Sequence, residues 1–250
     1  PFETITLGGD DLCIIVPAQG ALEMAAGMMR EFAQAAETEP RIREPLQRLK
    51  HQHWGMSVGA LICPDHFPIY YIYELVEELL KSSKRQMRKA ILDEGADVAE
   101  SYINFLILKG SAIPRTAVKD LMKDLYETRS HSRLEEKQKL TERPYPLSKF
   151  EKLLQYARRL KQEGMPPTQL HAIARALYEE REQATFDLMM RLQRMPNSCA
   201  KVFRELLFDK TLFPGNQRYL FPWRQDADNQ NKFSTVLLDI FELMEFLHHL

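Results

Sequence analysis

Four consecutive residues near the start of the sequence, Gly8-Gly9-Asp10-Asp11, have the composition of a tight turn that carries paired carboxylates. Carboxylate oxygens are hard ligands of the kind that Mg²⁺ prefers in proteins. Glycine accepts positive φ angles and has no Cβ, so Gly8 and Gly9 suit a turn and let a large anion approach the backbone. Because Gly and Asp are also common in ordinary surface turns, these residues alone leave a structural and a metal-binding interpretation open.

The residues on either side of this turn form two apolar runs, which predicts a β-hairpin over residues 2–17. The second run, residues 12–16, is apolar throughout, and this pattern is typical of a strand covered on both faces. Paired acids at the tip of a buried hairpin are costly unless they meet water, a metal ion or a cation. The flanking strands therefore favour the metal-binding interpretation.

Alternating helical and strand patterns follow the hairpin. They predict a helix over 20–36, a strand over 54–63, a long helix over 69–90 and a strand over 101–109. The small residues Ser57, Gly59 and Ala60 leave room beside the first of these strands for another backbone or a ligand. Cations crowd the C-terminal half of the long helix, where they complement either the helix dipole or a nearby polyphosphate.

The predicted order is that of a ferredoxin-like βαββαβ unit without its first strand and first helix. The missing strand would lie beside the hairpin in the middle of the sheet, so its absence predicts an open central edge. Since the sequence begins at Pro1 without a methionine, we expect a fragment or an upstream part that supplies this strand; alternatively, another segment fills the slot.

Helical periodicity predominates beyond Pro114, which predicts a helical bundle. Ser148 and Ser234 are predicted helix N-caps, the former in a capping box with Glu151. A single helix is predicted over residues 168–195. The aromatic residues of the stretch 213–231 either fill a core or stack on RNA bases, and the sequence leaves both interpretations open.

Composition excludes several classes of protein. The formal net charge of −1 gives no global basic field, while 44% apolar residues are enough for a core. The three cysteines, Cys13, Cys63 and Cys199, are far apart, which favours reduced core residues over a disulfide framework or a zinc site. No signal-peptide pattern or apolar run of membrane-spanning length occurs, so we expect a cytoplasmic protein that does not bind membranes.

The Gly-Gly-Asp-Asp turn between apolar strands resembles the motif of the GGDEF and polymerase-palm superfamily. The strand 56–62 and the helix ending at Lys84 also match this superfamily. The Asp-Asp ending, the strand 102–105 and the later Arg143-Pro144-Tyr145 followed by helices resemble the large signature subunit of type III CRISPR effector complexes. This resemblance implies an α+β chain. A ferredoxin-like second palm domain over residues 1–112 would precede an all-α helical domain over residues 113–250.

The resemblance also implies an ATP-using nucleotidyltransferase that makes cyclic oligoadenylate with two Mg²⁺ or Mn²⁺ ions. Asp10 and Asp11 would be the catalytic metal ligands, and Gly8 and Gly9 would admit ribose and phosphates. Ser57 would line the nucleotide pocket, and Lys84 would neutralise the triphosphate. The implied partners are the other subunits of the complex, guide and target RNA through that complex, and a small helical subunit on the C-terminal domain.

Successive residues of a strand point to opposite faces, so Asp10 and Asp11 share a metal pair only if the turn breaks this alternation. Otherwise a further carboxylate is needed, and we expect the chain alone to be inactive. Two alternatives stay open: a catalytically silent palm that serves as a scaffold in a ribonucleoprotein, and a stand-alone cyclic dinucleotide synthase. The intact acid pair argues against the scaffold, and the helical second half argues against the stand-alone enzyme.

Overall fold

A computed structural model describes residues 2–48, 55–93, 100–110, 118–129, 136–214, 221–226 and 229–247. Its N-terminal elements are β1 (Glu3–Gly8), β2 (Asp11–Ile15), α1 (Ala21–Thr38), α2 (Pro40–Arg48), β3 (Ser57–Ile62), α3 (Ile69–Asp93) and β4 (Tyr102–Ile107). The later elements are α4 (Val118–Tyr126), β5 (Glu127–Arg129), β6 (Lys137–Lys139), β7 (Tyr145–Pro146), α5 (Leu147–Gln162), α6 (Pro167–Ala176), α7 (Arg181–Arg194), α8 (Asn197–Phe208), β8 (Arg224–Gln225), β9 (Lys232–Ser234) and α9 (Leu237–Phe246).

The strands of the described residues form three separate sheets. The antiparallel hairpin β1–β2 stands by itself, β3 pairs in parallel with β4, and β4 pairs with β7 in the order β3-β4-β7. The third sheet has the order β5-β6-β9-β8. The predicted α+β class with a largely helical second part is confirmed. The predicted boundary between residues 112 and 113 falls outside the described residues.

The hairpin is exposed, so the prediction that it is buried and covered on both faces is wrong. Leu7 is 77% exposed on β1, and Leu12 and Ile15 are each 44% exposed on β2. The physical reason is the pairing: in the described part of the chain, each strand of the hairpin pairs only with the other. An apolar strand pattern shows a preference for burial, but it does not show that a covering element is present.

Helix α3 packs directly on β3, and Gly59 allows this close approach. A Cβ added at Gly59 would lie 2.5 Å from the backbone nitrogen of Leu80 and 2.6 Å from the carbonyl oxygen of Val76. The hydroxyl of Ser83 donates to the Val58 carbonyl oxygen at 2.8 Å, which joins the helix to the same strand. The sequence left open whether another backbone or a ligand lies beside β3. At Gly59 the backbone of α3 lies there.

We expect Gly59→Ala to lower the free energy of unfolding by about 3 kcal/mol, because the new methyl group would force α3 away from β3. Gly27→Ala in α1 is the matched control. A Cβ at Gly27 meets no atom within 4 Å, and alanine favours a helix over glycine by about 1 kcal/mol. Urea unfolding of the full chain measures both changes. Equal stability of the two variants would contradict the packing of α3 on β3.

The helical part shares its packing with the N-terminal elements. The backbone N–H of Gly20, which has a φ of 79°, donates to the carbonyl oxygen of Phe246 at the end of α9 at 2.8 Å. From α1, Glu23 pairs with Arg158 at 2.5 Å, and Arg30 pairs with Glu151 at 2.6 Å, both on α5. Helix α1 is therefore fixed to α5 and α9, whereas the hairpin before it is not.

A buried charged cluster joins β4, α4 and α9 around Arg143. The side chains of Arg143 and Asp239 have no exposed surface, and Arg143 Nη2 lies 2.8 Å from Asp239 Oδ1. The same guanidinium also pairs with Glu242 and stacks on the Phe105 ring at 3.6 Å from its centroid. Tyr126 donates its hydroxyl to Glu242 at 3.0 Å. We call these five residues the Arg143 cluster.

Both predicted serine N-caps are wrong. Helix α5 begins at Leu147 with Pro146 as its N-cap, so Ser148 lies inside the helix, and Glu151 instead pairs with Arg30. Ser234 belongs to β9, and its hydroxyl donates to Glu142 at 2.6 Å. In each case a partner distant in the sequence decides the position, and the local capping pattern carries no information about it.

The predicted single helix over 168–195 is two helices, α6 and α7, separated at residues 177–180. The sequence pattern also did not indicate the small third sheet, whose parallel pair β6–β9 joins segments far apart in the chain. Trp54 and Tyr219 lie outside the described residues. Trp223 is 3% exposed, so this aromatic residue of the stretch 213–231 fills the core. Among the described helices, none combines the length and apolar character that crossing a membrane requires.

Candidate active site

The predicted turn forms at the tip of the hairpin. Strand β1 ends at Gly8, β2 begins at Asp11, and these two residues are register partners. Gly9 and Asp10 make the connection, and Gly9 has a φ of 61°, a conformation that favours glycine. Asp10 therefore lies in the turn and Asp11 in the first position of a strand. Since only Asp11 has strand geometry, strand alternation does not fix the relative directions of the two carboxylates.

The tip is open to solvent. Gly8, Gly9, Asp10 and Asp11 are all exposed, and a Cβ at either glycine would meet no atom within 4 Å. The backbone of the turn is thus accessible to a bulky anion. Within the described residues, no group of three or more His, Cys, Asp or Glu side chains is placed to hold a metal ion. Two exposed carboxylates nevertheless fit Mg²⁺, which is usually bound by one or two carboxylates plus substrate phosphates and water.

Ser57 and Lys84 lie together on the packed β3–α3 unit. The Ser57 hydroxyl contacts the Met87 sulfur at 3.8 Å. The hydroxyl of Ser83, which precedes Lys84, donates to the carbonyl oxygen of Val58, which follows Ser57. Lys84 is half-buried and forms no ion pair with any residue in the described ranges. In contrast, Lys81 of the same helix pairs with Glu77 at 2.8 Å. Lys84 is thus a cation without a local counter-charge.

The structure does not join the hairpin tip to Ser57 and Lys84. The pKa of Tyr73 is raised first by the Glu77 carboxylate, with smaller contributions that include Asp11. Tyr73 lies in the second turn of α3. Lys84 is about three turns, or about 16 Å, further along this helix. No hydrogen bond or ion pair of the described residues connects Asp10 or Asp11 to Ser57 or Lys84.

Sequence reasoning missed the Arg143 cluster as a charged site, although Arg143-Pro144-Tyr145 contributes to the resemblance. Burial raises the pKa of Asp239 to about 6, against the lowering influence of Arg143. Arg143 donates to the carbonyl oxygen of Phe105 at 3.0 Å and is enclosed by aromatic rings. Since the side chains of Arg143 and Asp239 have no exposed surface and the charged groups pair with one another, the cluster has the character of a structural junction.

A family comparison assigns the N-terminal part. Residues 2–92 match the family model of the Cas10/Cmr2 second palm domain. The matched stretch is 91 of the 250 residues of the chain. The match includes the hairpin tip, Ser57 and Lys84, and it ends within α3. The resemblance to the large subunit of type III CRISPR complexes is therefore confirmed. Among curated proteins, none matches the chain significantly.

The Cas10/Cmr2 palm has a nucleotidyltransferase-like fold, and the family consists of subunits of type III CRISPR effector complexes. Within this palm, the hairpin carries the acid pair on an open turn, and β3 and α3 carry the serine and the unpaired lysine. The roles of these side chains stay predictions.

Proposed function

We propose that the chain contributes the catalytic palm of a nucleotidyltransferase that makes cyclic oligoadenylate from ATP within a type III CRISPR effector complex. The observation that carries the proposal is the acid pair, Asp10 and Asp11, exposed on a glycine turn inside a Cas10/Cmr2 second palm domain. A scaffold gains no stability from two adjacent carboxylates without a counter-charge.

The reaction requires a 3′-hydroxyl of one ATP to attack the α-phosphate of another, so that a phosphodiester forms and pyrophosphate leaves. Asp10 and Asp11 would hold Mg²⁺ or Mn²⁺ at the tip. Two bound divalent ions would stabilise the attacking and leaving oxygens of this in-line displacement. Phosphoryl-type transfer depends on positioning and charge stabilisation more than on a nucleophilic side chain, which agrees with a tip whose two side chains are carboxylates suited to hold metal ions.

The remaining site residues would bind and orient the nucleotide. Gly8 and Gly9 have no side chain over the turn, so ribose and phosphates could approach the backbone. The Ser57 hydroxyl has only a weak thioether partner and is available to the nucleotide. Lys84, without a carboxylate partner, would neutralise triphosphate charge. No hydrogen bond or ion pair of the described residues joins the hairpin tip to Ser57 or Lys84, and we propose that the complex brings them into one site.

The test is the mass spectrum of products from the purified complex, supplied with guide RNA, target RNA, ATP and Mg²⁺ or Mn²⁺. We expect cyclic oligoadenylate only when target RNA is bound. The chain alone should give no product, because no contact of the described residues joins its acid pair to Ser57 or Lys84. A complex that forms and binds both RNAs but yields no oligoadenylate would support the scaffold alternative.

Lys84→Met should reduce kcat/KM for ATP in the complex by about 10- to 100-fold, since a charge-assisted contact worth about 1.5–3 kcal/mol is lost. Lys81→Met is the matched control. It removes the same charge three residues earlier, where the lysine already pairs with Glu77, and should leave kcat/KM nearly unchanged. Equal losses in both variants would assign the effect to the general field of α3 and not to a contact of Lys84.

A further inference from the structure

The outer face of α8 carries a row of polar and aromatic side chains. The inner positions of this helix are buried: Cys199, Ala200, Val202, Phe203, Leu206 and Leu207. The outward positions Asn197, Lys201, Arg204 and Phe208 are all exposed, Phe208 to 43%. Their separations of four, three and four residues align them along about 16 Å of one helix face. We call these four residues the α8 row.

The two cations of the α8 row, Lys201 and Arg204, have no carboxylate partner among the described residues. In the ranges that the structure describes, Lys201 and Arg204 form no hydrogen bond or ion pair with any side chain. The neighbouring carboxylates are already engaged by α5: Glu205 pairs with Arg159 at 2.5 Å, and Asp209 accepts from Tyr156 at 3.1 Å. The face therefore presents local positive charge although the chain has a net charge of −1.

The exposed ring of Phe208 indicates which class of partner fits the α8 row. Nucleobases stack on exposed aromatic side chains, and cations beside such a ring attract the phosphates of the same strand. A helical protein partner would instead require a stripe of several apolar anchors at helical spacing, and Phe208 is the only apolar member of the α8 row. The combination of charge and ring therefore fits an unpaired polynucleotide better than a protein.

We propose that the α8 row binds single-stranded nucleic acid, with Lys201 and Arg204 on phosphates and Phe208 stacked on a base. This surface lies on a helix outside the palm domain, and the proposal does not depend on oligoadenylate synthesis. Since its residues are exposed, substituting them should change the stability of the chain little.

The test measures binding of fluorescein-labelled oligouridylate to the full chain by fluorescence anisotropy over a range of salt concentrations. Lys201→Glu with Arg204→Glu should weaken binding at least about tenfold, and the salt slope of log K should fall by about 1.4, since each phosphate contact on a single strand contributes about 0.7. Phe208→Ala should weaken binding at least about fivefold with the salt slope unchanged, because the stacking of one base is lost.

The matched control is Lys119→Glu with Lys123→Glu on α4, which makes the same charge change on another exposed helix. This control should retain most of the affinity and the full salt slope. Lys201→Gln with Arg204→Gln repeats the test if charge reversal disturbs folding, which circular dichroism would reveal. Unchanged binding in the α8 variants overturns the proposal. The proposal is also overturned if polyglutamate displaces oligouridylate as well as unlabelled oligouridylate does and Phe208→Ala has no effect. These two results together would indicate an acidic protein partner.

Discussion

Replacing Asp10 and Asp11 together with alanine is expected to abolish oligoadenylate synthesis in the assembled complex. Their carboxylates would hold the divalent ions that stabilise the reacting oxygens, a contribution of several kcal/mol. Its removal corresponds to a loss of at least about a hundredfold in rate. Both residues are exposed and form no hydrogen bond or ion pair within the described structure, so the variant should fold and assemble normally.

The matched control for this variant is Asp120→Ala with Asp124→Ala, which removes two exposed carboxylates from α4. It should keep full synthesis, so a general effect of net charge is separated from an effect of the turn. Mn²⁺ binding to the complex, followed by electron paramagnetic resonance, gives a second readout that does not depend on turnover. Synthesis and Mn²⁺ binding that both survive in the Asp10/Asp11 variant would remove the basis of the proposed site.

Arg143→Met should lower the free energy of unfolding by about 3–5 kcal/mol, the cost of leaving buried carboxylates without their cation. Arg143 has no exposed side-chain surface and faces both Asp239 and Glu242. Arg159→Met is the matched control, because its pair with Glu205 is about one-third exposed on both sides. Removing such a surface pair costs about 0–1 kcal/mol. Chemical unfolding of the full chain measures both effects.

The cost of Arg143→Met should depend on pH in a defined direction. The folded-state pKa of Asp239 is about 6, above its ordinary value of 3.8. A raised carboxyl pKa means that the folded state binds the proton more tightly, so this stability is lost as the pH rises through the folded pKa. Without Arg143 the pKa of Asp239 rises further. The variant should therefore be destabilised more at pH 7 than at pH 5, and a loss independent of pH would contradict a buried ionised pair.

The hairpin, α1, β3, α3 and β4 could be predicted because their sequence patterns repeat within one element. Periodic apolar residues and the glycine turn are local signals, and tertiary packing did not override them. The prediction that failed for the hairpin was burial. Leu12 and Ile15 have the composition of a covered strand, but the covering element must come from elsewhere, and residue types in β2 carry no information about its presence.

Other errors have the same origin in non-local contacts. The hydroxyl of Ser234 bonds to Glu142 rather than capping α9. The backbone N–H of Ser148, which lies inside α5, donates to Glu100, which is distant in the sequence. Strand β6 has a charged residue at both ends, and its partner β9 lies far along the chain. For the site, the sequence indicated the candidate side chains but not their separation, because the placement of the hairpin relative to α3 is a tertiary property.

The hydrogen bond between Gly20 and Phe246 anchors the chain shortly after the hairpin. Four residues, Val16 to Gln19, connect the end of β2 to this anchored glycine, and they span at most about 14 Å when fully extended. The hairpin is therefore held to the end of α9 through a link of only four residues. A change of backbone conformation within this link would move the hairpin and its acid pair while α1 stays in place. The length of the link limits how far the base of the hairpin can lie from Gly20.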